Sequence, residues 1–197
     1  MLRTLATLLL FTVFIKCIES KEPIRSYVAV ENKTPTKGFI HEMTVCDSQE
    51  KKVLYRIKTS RSDIDTIVLI DHQTKNIVAN LEGIWGDGTF NVTFSIYDSK
   101  LNKWTDGTIK RIAHIVDDDY AIQYNNHHLN TDRKWYSKKV KIYYTTNKEY
   151  LARFRIRTRW FNWSPIKYDI QVYSNKIPDA VYLFLLTIME HRGLSNE

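Results

Sequence analysis

The stretch "IPDAVYLFLLTIMEHRG", residues 177–193, constrains the fold of this chain more than any other. From Ala180 to Met189 only Tyr182 and Thr187 are not plainly apolar. A surface helix needs a polar face, whereas one that is apolar all round sits in a membrane or is enclosed by protein. The apolar run is about half the length a bilayer span needs. The polar end "EHRGLSNE" is unlike the hydrophobic tail of a lipid-anchor signal. Pro178 suits a first helical turn, and Asp179 complements the N-terminal end of the helix dipole. His191 and Arg192 complement the other end, and Gly193 is a natural stop. The spacing predicts a helix over about 178–192, roughly 22 Å long, with protein around it.

The preceding chain reads as one strand after another: "SYVAV" (26–30), "FIHEMTVC" (39–46), "KVLYRIKT" (52–59), "DTIVLID" (65–71) and "NIVANLEGIW" (76–85). "TFNVTFSIYD" (89–98), "TIKRIAHIV" (108–116), "YAIQY" (120–124), "KKVKIYYTT" (138–146), "YLARFRIRTRW" (150–160) and "KYDIQVY" (167–173) follow. Trp104 and Asp106-Gly107 read as a loop, and Asn125 to Arg133 as a polar loop. With 12 Tyr, 8 Phe and 5 Trp, the aromatic content favours strands. About eleven short strands separated by turn-like residues argue for an antiparallel sandwich or barrel. No linker divides them, so residues 21–197 form a single domain. In a mainly β chain, the enclosure available to an apolar helix is a closed sheet.

The order of strands, ending in "ARFRIRTRW…KYDIQVYSNKIPDAVYLFLLTIMEHR", resembles the C-terminal end of the tubby-like superfamily. The nearest likeness is to the LURP-one-related proteins and phospholipid scramblases. Tyr168-Asp169-Ile170-Gln171-Val172 stands as the last strand, and Asp179 stands at the helix start. The hairpins "IVLIDHQTKNIVANL" and "YTTNKEYLARFRIR" fit the family's pattern of strand, polar turn and strand. The likeness covers most of residues 38–193. It implies a closed antiparallel barrel of about twelve strands around a buried C-terminal helix. It carries over no calcium site, scrambling activity or phosphoinositide residues, because no matching segments are present.

Residues 1–20, "MLRTLATLLLFTVFIKCIES", have the plan of a secretory signal peptide: Arg3, an apolar core from Leu5 to Ile15, and small Ser20 at the cleavage position. The expectation is a secreted, extracellular protein. The full chain has a formal net charge of +7, and losing Arg3, Lys16 and Glu19 with the signal leaves +6. Cys17 leaves as well, so Cys46 stands alone, without an internal disulfide. It reads as a small buried hydrophobe, with an intermolecular disulfide as the alternative. Alternation places it on the face of Ile40, Glu42 and Thr44. Asn32 and Asn91 begin glycosylation sequons, and Asn162, followed by "WSP", is a weaker one.

The sharpest chemical pattern is "LARFRIRTRW". Arg153, Arg155, Arg157 and Arg159 recur at every second residue, so a strand puts them on one face, about 6.8 Å apart. Phe154, Ile156, Thr158 and Trp160 take the core face. Lys139 and Lys141 share a face of the preceding strand, with Lys138 at its start. Guanidinium groups in a row suit phosphate, sulfate or carboxylate. The expected partner is an acidic lipid head group, a sulfated glycan or an acidic protein; nucleic acid is not expected. The competing account is a solvated strand face whose charges meet Asp or Glu across the sheet.

Other motifs point to structure. Asp117-Asp118-Asp119 reads as a tight turn, His127-His128 as an exposed loop pair, and "GIWGDGTF" as a turn between strands. No metal site, cofactor or catalytic set emerges, so the expectation is a monomeric, non-enzymatic binding protein. Two alternatives are a lipocalin-like carrier of a small apolar ligand, and a scramblase-like membrane-associated protein.

Overall fold

A computed structural model of the chain describes residues 22–60, 65–84, 91–99, 101–113, 118–133, 139–158 and 164–194. The expected signal segment, Lys138, Arg159, Trp160, Asn162, Asp117 and most of "GIWGDGTF" lie outside the described residues. The strands are β1 (Arg25–Glu31), β2 (His41–Asp47), β3 (Val53–Ser60), β4 (Asp65–Asp71), β5 (Ile77–Ile84) and β6 (Asn91–Asp98). They continue as β7 (Lys103–Ala113), β8 (Asp118–Tyr124), β9 (His127–Arg133), β10 (Lys139–Tyr144), β11 (Tyr150–Ile156) and β12 (Lys167–Val172). The helix α1 (Asp179–Leu194) follows β12. Each strand pairs antiparallel with its sequence neighbours, and β12 returns to β1, from Arg25↔Val172 to Val30↔Lys167, closing a barrel. Closure leaves no free edge.

Several local expectations need correction. The segment Asn125 to Arg133 is not a loop: His127–Arg133 is β9, and His127-His128 sit within it. Its inward positions, Leu129 and Thr131, are buried, but polar residues between them hide the alternation. Asn125 and Asn126 both have positive φ (45° and 64°), the left-handed pair that a tight hairpin turn requires. Trp104 and Asp106-Gly107 belong to β7 rather than to a loop, and Trp104 packs against Tyr97 across the β6–β7 pair, with centroids 5.5 Å apart. Asp118 and Asp119 open β8 instead of turning the chain, and Asp118 pairs with Arg111 at 2.5 Å. The helix also runs past Gly193 to Leu194, and β11 stops at Ile156, so Thr158 is exposed beyond the strand end instead of lying on the core face.

A barrel of about eight strands is filled by its own side chains, whereas much larger ones leave a channel. Twelve strands enclose a space that takes a helix. Ala180 to Met189 are all at most 9% exposed. The wall reaches α1 from several sides: Phe94 of β6 lies 6.2 Å from Phe184, and Thr187 lies 4.0 Å from the sulfur of Met43 in β2. Thr187 satisfies its own hydroxyl by donating to the Leu183 carbonyl at 2.9 Å. The helix occupies the space in which a lipocalin-like barrel would carry cargo. No helix among the described residues is long and apolar enough to cross a membrane.

Polar groups hold the helix at both mouths. At its start, the Asp179 carboxylate accepts from Arg25 Nε at 2.9 Å, Arg25 Nη2 at 2.8 Å and the Tyr27 hydroxyl at 2.5 Å. At the other mouth, Glu190 accepts from the Tyr168 hydroxyl. Burial pushes the Glu190 carboxyl above its ordinary 4.5, against the opposing hydrogen bond of Tyr168 and the charge of Arg133. Glu31 adds to the rise and His41 opposes it. A carboxyl whose pKa is higher folded than unfolded contributes most below its unfolded pKa. That contribution is lost as pH rises through the folded value. Glu190→Gln is therefore expected to flatten the decline of stability above pH 4.5 and to leave acid stability unchanged. Urea unfolding at several pH values checks this, and parallel wild-type and variant profiles would refute it.

Candidate anion-binding site

The site follows from strand alternation on three neighbouring strands. In β11, Ala152 and Phe154 are buried in the core, so Arg153 and Arg155 project from the outer wall. In β10, Val140 and Ile142 point inward, leaving Lys139 and Lys141 outside. In β12, Tyr168, Ile170 and Val172 point inward, which puts Lys167, Asp169 and Gln171 outside. The register then builds rows across the wall. Lys139 faces Arg155, which faces Asp169; Lys141 faces Arg153, which faces Gln171.

These rows border a groove of about 330 Å³ on the outer wall. Lys139, Arg153 and Arg155 line one side, and Ser48 of the β2–β3 turn lines the other. Ser26, Tyr27 and Val28 of β1, with Asp169, Ile170 and Gln171 of β12, complete the lining. Arg153 donates to Gln171 and lies over the Tyr173 ring at 5.9 Å. The Tyr173 hydroxyl donates to the same Gln171 oxygen at 3.1 Å, and Tyr150 packs on Tyr173 with centroids 4.8 Å apart. Burial pushes the Tyr150 phenol up to about 12, so it stays neutral beside Arg153.

The four arginines of the sequence pattern thus divide. Arg155 is exposed, and no described side chain pairs with it. Arg153 is half-buried and engaged with neutral partners. Arg157 is compensated: its Nε donates to Asp169 at 2.7 Å and its Nη1 to Glu50 at 2.5 Å. Here the account in which strand-face charges meet acids across the sheet holds. Lys141 is exposed opposite Asp132 of β9. Lys138 and Arg159 lie outside the described residues.

Glu50, Lys167 and Gln171 were not singled out by the sequence. Lys167 and Gln171 share a face of "KYDIQVY" by alternation, which is a usable signal. Glu50 reaches the site only through the closed sheet, 107 residues from Arg157. Its turn also lies over the outer face that carries Cys46, which is a free cysteine only 7% exposed. Burial, followed by the charges of Glu50 and Asp47, pushes that thiol up, away from the reactive thiolate. Glu42, on the same face, is 2% exposed. It tolerates burial because it accepts from Thr36 N at 3.1 Å and Thr36 Oγ1 at 2.8 Å.

The two sequons fall on different ground. Asn91 is exposed at the start of β6, with Thr93 exposed on the same face. Asn32 is half-buried just after β1, and its carbonyl accepts from Thr44 Oγ1 at 3.2 Å. Among the described residues no group of three or more His, Cys, Asp or Glu side chains is arranged to hold a metal ion. Comparison with protein-family models, curated proteins and solved structures found no match to this chain.

Proposed function

We propose that this protein is a secreted, non-enzymatic binding module of tubby-like architecture that holds an anionic partner on the outer wall of its barrel. The observation that carries the reading is the grouping of Lys139, Arg153 and Arg155 along one side of a groove. Arg155 there has no acid from the described residues paired with it. Guanidinium and ammonium groups held by a rigid sheet need little reordering to meet an anion. The formal charge of +6 left after residues 1–20 are removed adds a general attraction to anions. The twelve-strand barrel around an apolar helix supports the tubby-like placement, and the plan of residues 1–20 supports secretion.

The test is calorimetric titration of the protein lacking residues 1–20 with a heparin-derived hexasaccharide and with inorganic phosphate. The wild type is compared with the triple variant Lys139→Gln, Arg153→Gln, Arg155→Gln. The variant is expected to bind roughly 10- to 100-fold more weakly, through the loss of charge-assisted hydrogen bonds. Its urea midpoint is expected to shift only modestly, because Lys139 and Arg155 are exposed and Arg153 gives up a half-buried hydrogen bond to a neutral partner, worth about 1 kcal/mol. Equal binding by the two proteins would remove the groove from the account.

A further inference from the structure

Resting on the anion-groove reading, we infer that the groove takes a sulfated glycan chain and that Glu50 is an internal carboxylate which a ligand sulfate displaces. The cations form successive rungs along β11. Lys141 with Arg153 is the first and Lys139 with Arg155 the second. Arg157 with Lys167 is the third, joined by the hydrogen bond from Arg157 N to the Lys167 carbonyl at 2.9 Å. Outward positions on a strand are about 6.8 Å apart, which spaces the first two rungs, and Arg157 follows one residue beyond the end of β11. That suits a ligand with regularly repeated anions better than a single phosphate ester.

Neutral polar groups lie between the charges. Ser26, Ser48 and Gln171 line the groove and match sugar hydroxyls in hydrogen-bonding capacity. The exposed large apolar residues among those described, including Ile77, Leu101 and Trp104, do not line it. A bilayer surface would therefore meet no apolar anchor there.

The third rung is already filled. Glu50 accepts from Arg157 Nη1 at 2.5 Å and from Lys167 Nζ. These groups are only about one-third exposed, at 29%, 35% and 33% for the three side chains. The hydrogen bond from Lys167, followed by that from Arg157, holds the Glu50 carboxyl below its ordinary range despite some burial, so it stays charged at neutral pH. The turn is not what demands glutamate. Glu50 has φ 58°, and the left-handed residues of two other hairpin turns are Lys75 (φ 63°) and Lys148 (φ 55°). A non-glycine residue pays strain at such a φ, and here its carboxylate lands on a cation pair. In effect it occupies the place of a third ligand sulfate. An incoming glycan binds the first two rungs and competes with Glu50 for the third.

The test titrates wild type, Glu50→Gln and Glu50→Asn with the heparin-derived hexasaccharide, poly-L-glutamate and vesicles containing phosphatidylserine. Asn tolerates the left-handed backbone, so the second variant keeps the turn if Gln disturbs it, and urea midpoints verify folding. Both variants are expected to bind the hexasaccharide about fivefold tighter, the gain from releasing the part-exposed Arg157 and Lys167 from Glu50. Unchanged or weaker binding by folded variants, with the wild type still binding, overturns the role of Glu50 and leaves the groove standing. Preference for vesicles or poly-L-glutamate overturns the glycan assignment. Failure of all three proteins to bind any of the probes overturns the anion reading itself.

Discussion

Phe184→Ala is expected to destabilise the protein by about 3–5 kcal/mol, the usual cost of removing a fully enclosed aromatic ring. Phe184 is 0% exposed at the centre of α1. Its ring lies 6.2 Å from Phe94, which stacks on Tyr124 at 5.8 Å. Removing it leaves a cavity at the contact between helix and wall. The helix cannot turn to refill it with a spare apolar group, because every position from Ala180 to Met189 already packs inside. Relaxation of the wall is limited as well, since each strand is hydrogen-bonded on both sides around the closed barrel. Urea unfolding followed by far-ultraviolet circular dichroism measures the change. A loss under about 1 kcal/mol would mean that the helix is not enclosed.

Gly107→Ala is expected to cost about 1–3 kcal/mol by overpacking, although it adds one methyl group and favours the strand. Gly107 faces inward on β7 beneath Phe94. A Cβ there would stand 2.2 Å from Phe94 Cζ and 2.7 Å from the Gln123 carbonyl oxygen. The ring is held by Tyr124 and Phe184, and the oxygen belongs to the backbone of β8, so neither neighbour gives easily. The glycine is present for space, as its φ is not positive. Adding Phe94→Leu to the variant is expected to recover part of the loss, a coupling that a double-mutant cycle reads directly. A single variant within 0.5 kcal/mol of wild type would contradict this packing.

The features most legible in the sequence were those governed by apolar periodicity. The absence of a polar face between Ala180 and Met189 called for enclosure, and the alternation in "ARFRI" correctly sent Phe154 inward and Arg153 and Arg155 outward. Where apolar residues thin out, the signal failed. β9 carries only Leu129 and Thr131 as inward anchors, so its character came from pairing with β8 and β10, which no local pattern encodes. β7 begins at Lys103 because it pairs with β6 from Asp98↔Lys103 onward, despite turn-like Asp106-Gly107. At the site, the arginine ladder was visible but its neutralisation was not. Asp169 and Glu50 meet Arg157 only after β12 has paired and the barrel has closed. A strand pattern thus read how the charges face, while the closed sheet decided which of them stayed available.

Ligands are expected to meet the wall of the barrel at the groove between the β2–β3 turn and β10–β11. The most direct test is an amide chemical-shift titration of the isotopically labelled protein with the heparin-derived hexasaccharide. The largest shifts are expected at Ser26, Ser48, Arg153, Arg155 and Gln171, with α1 unperturbed. Largest shifts around Ile77, Leu101 and Trp104, with the groove unchanged, would contradict it.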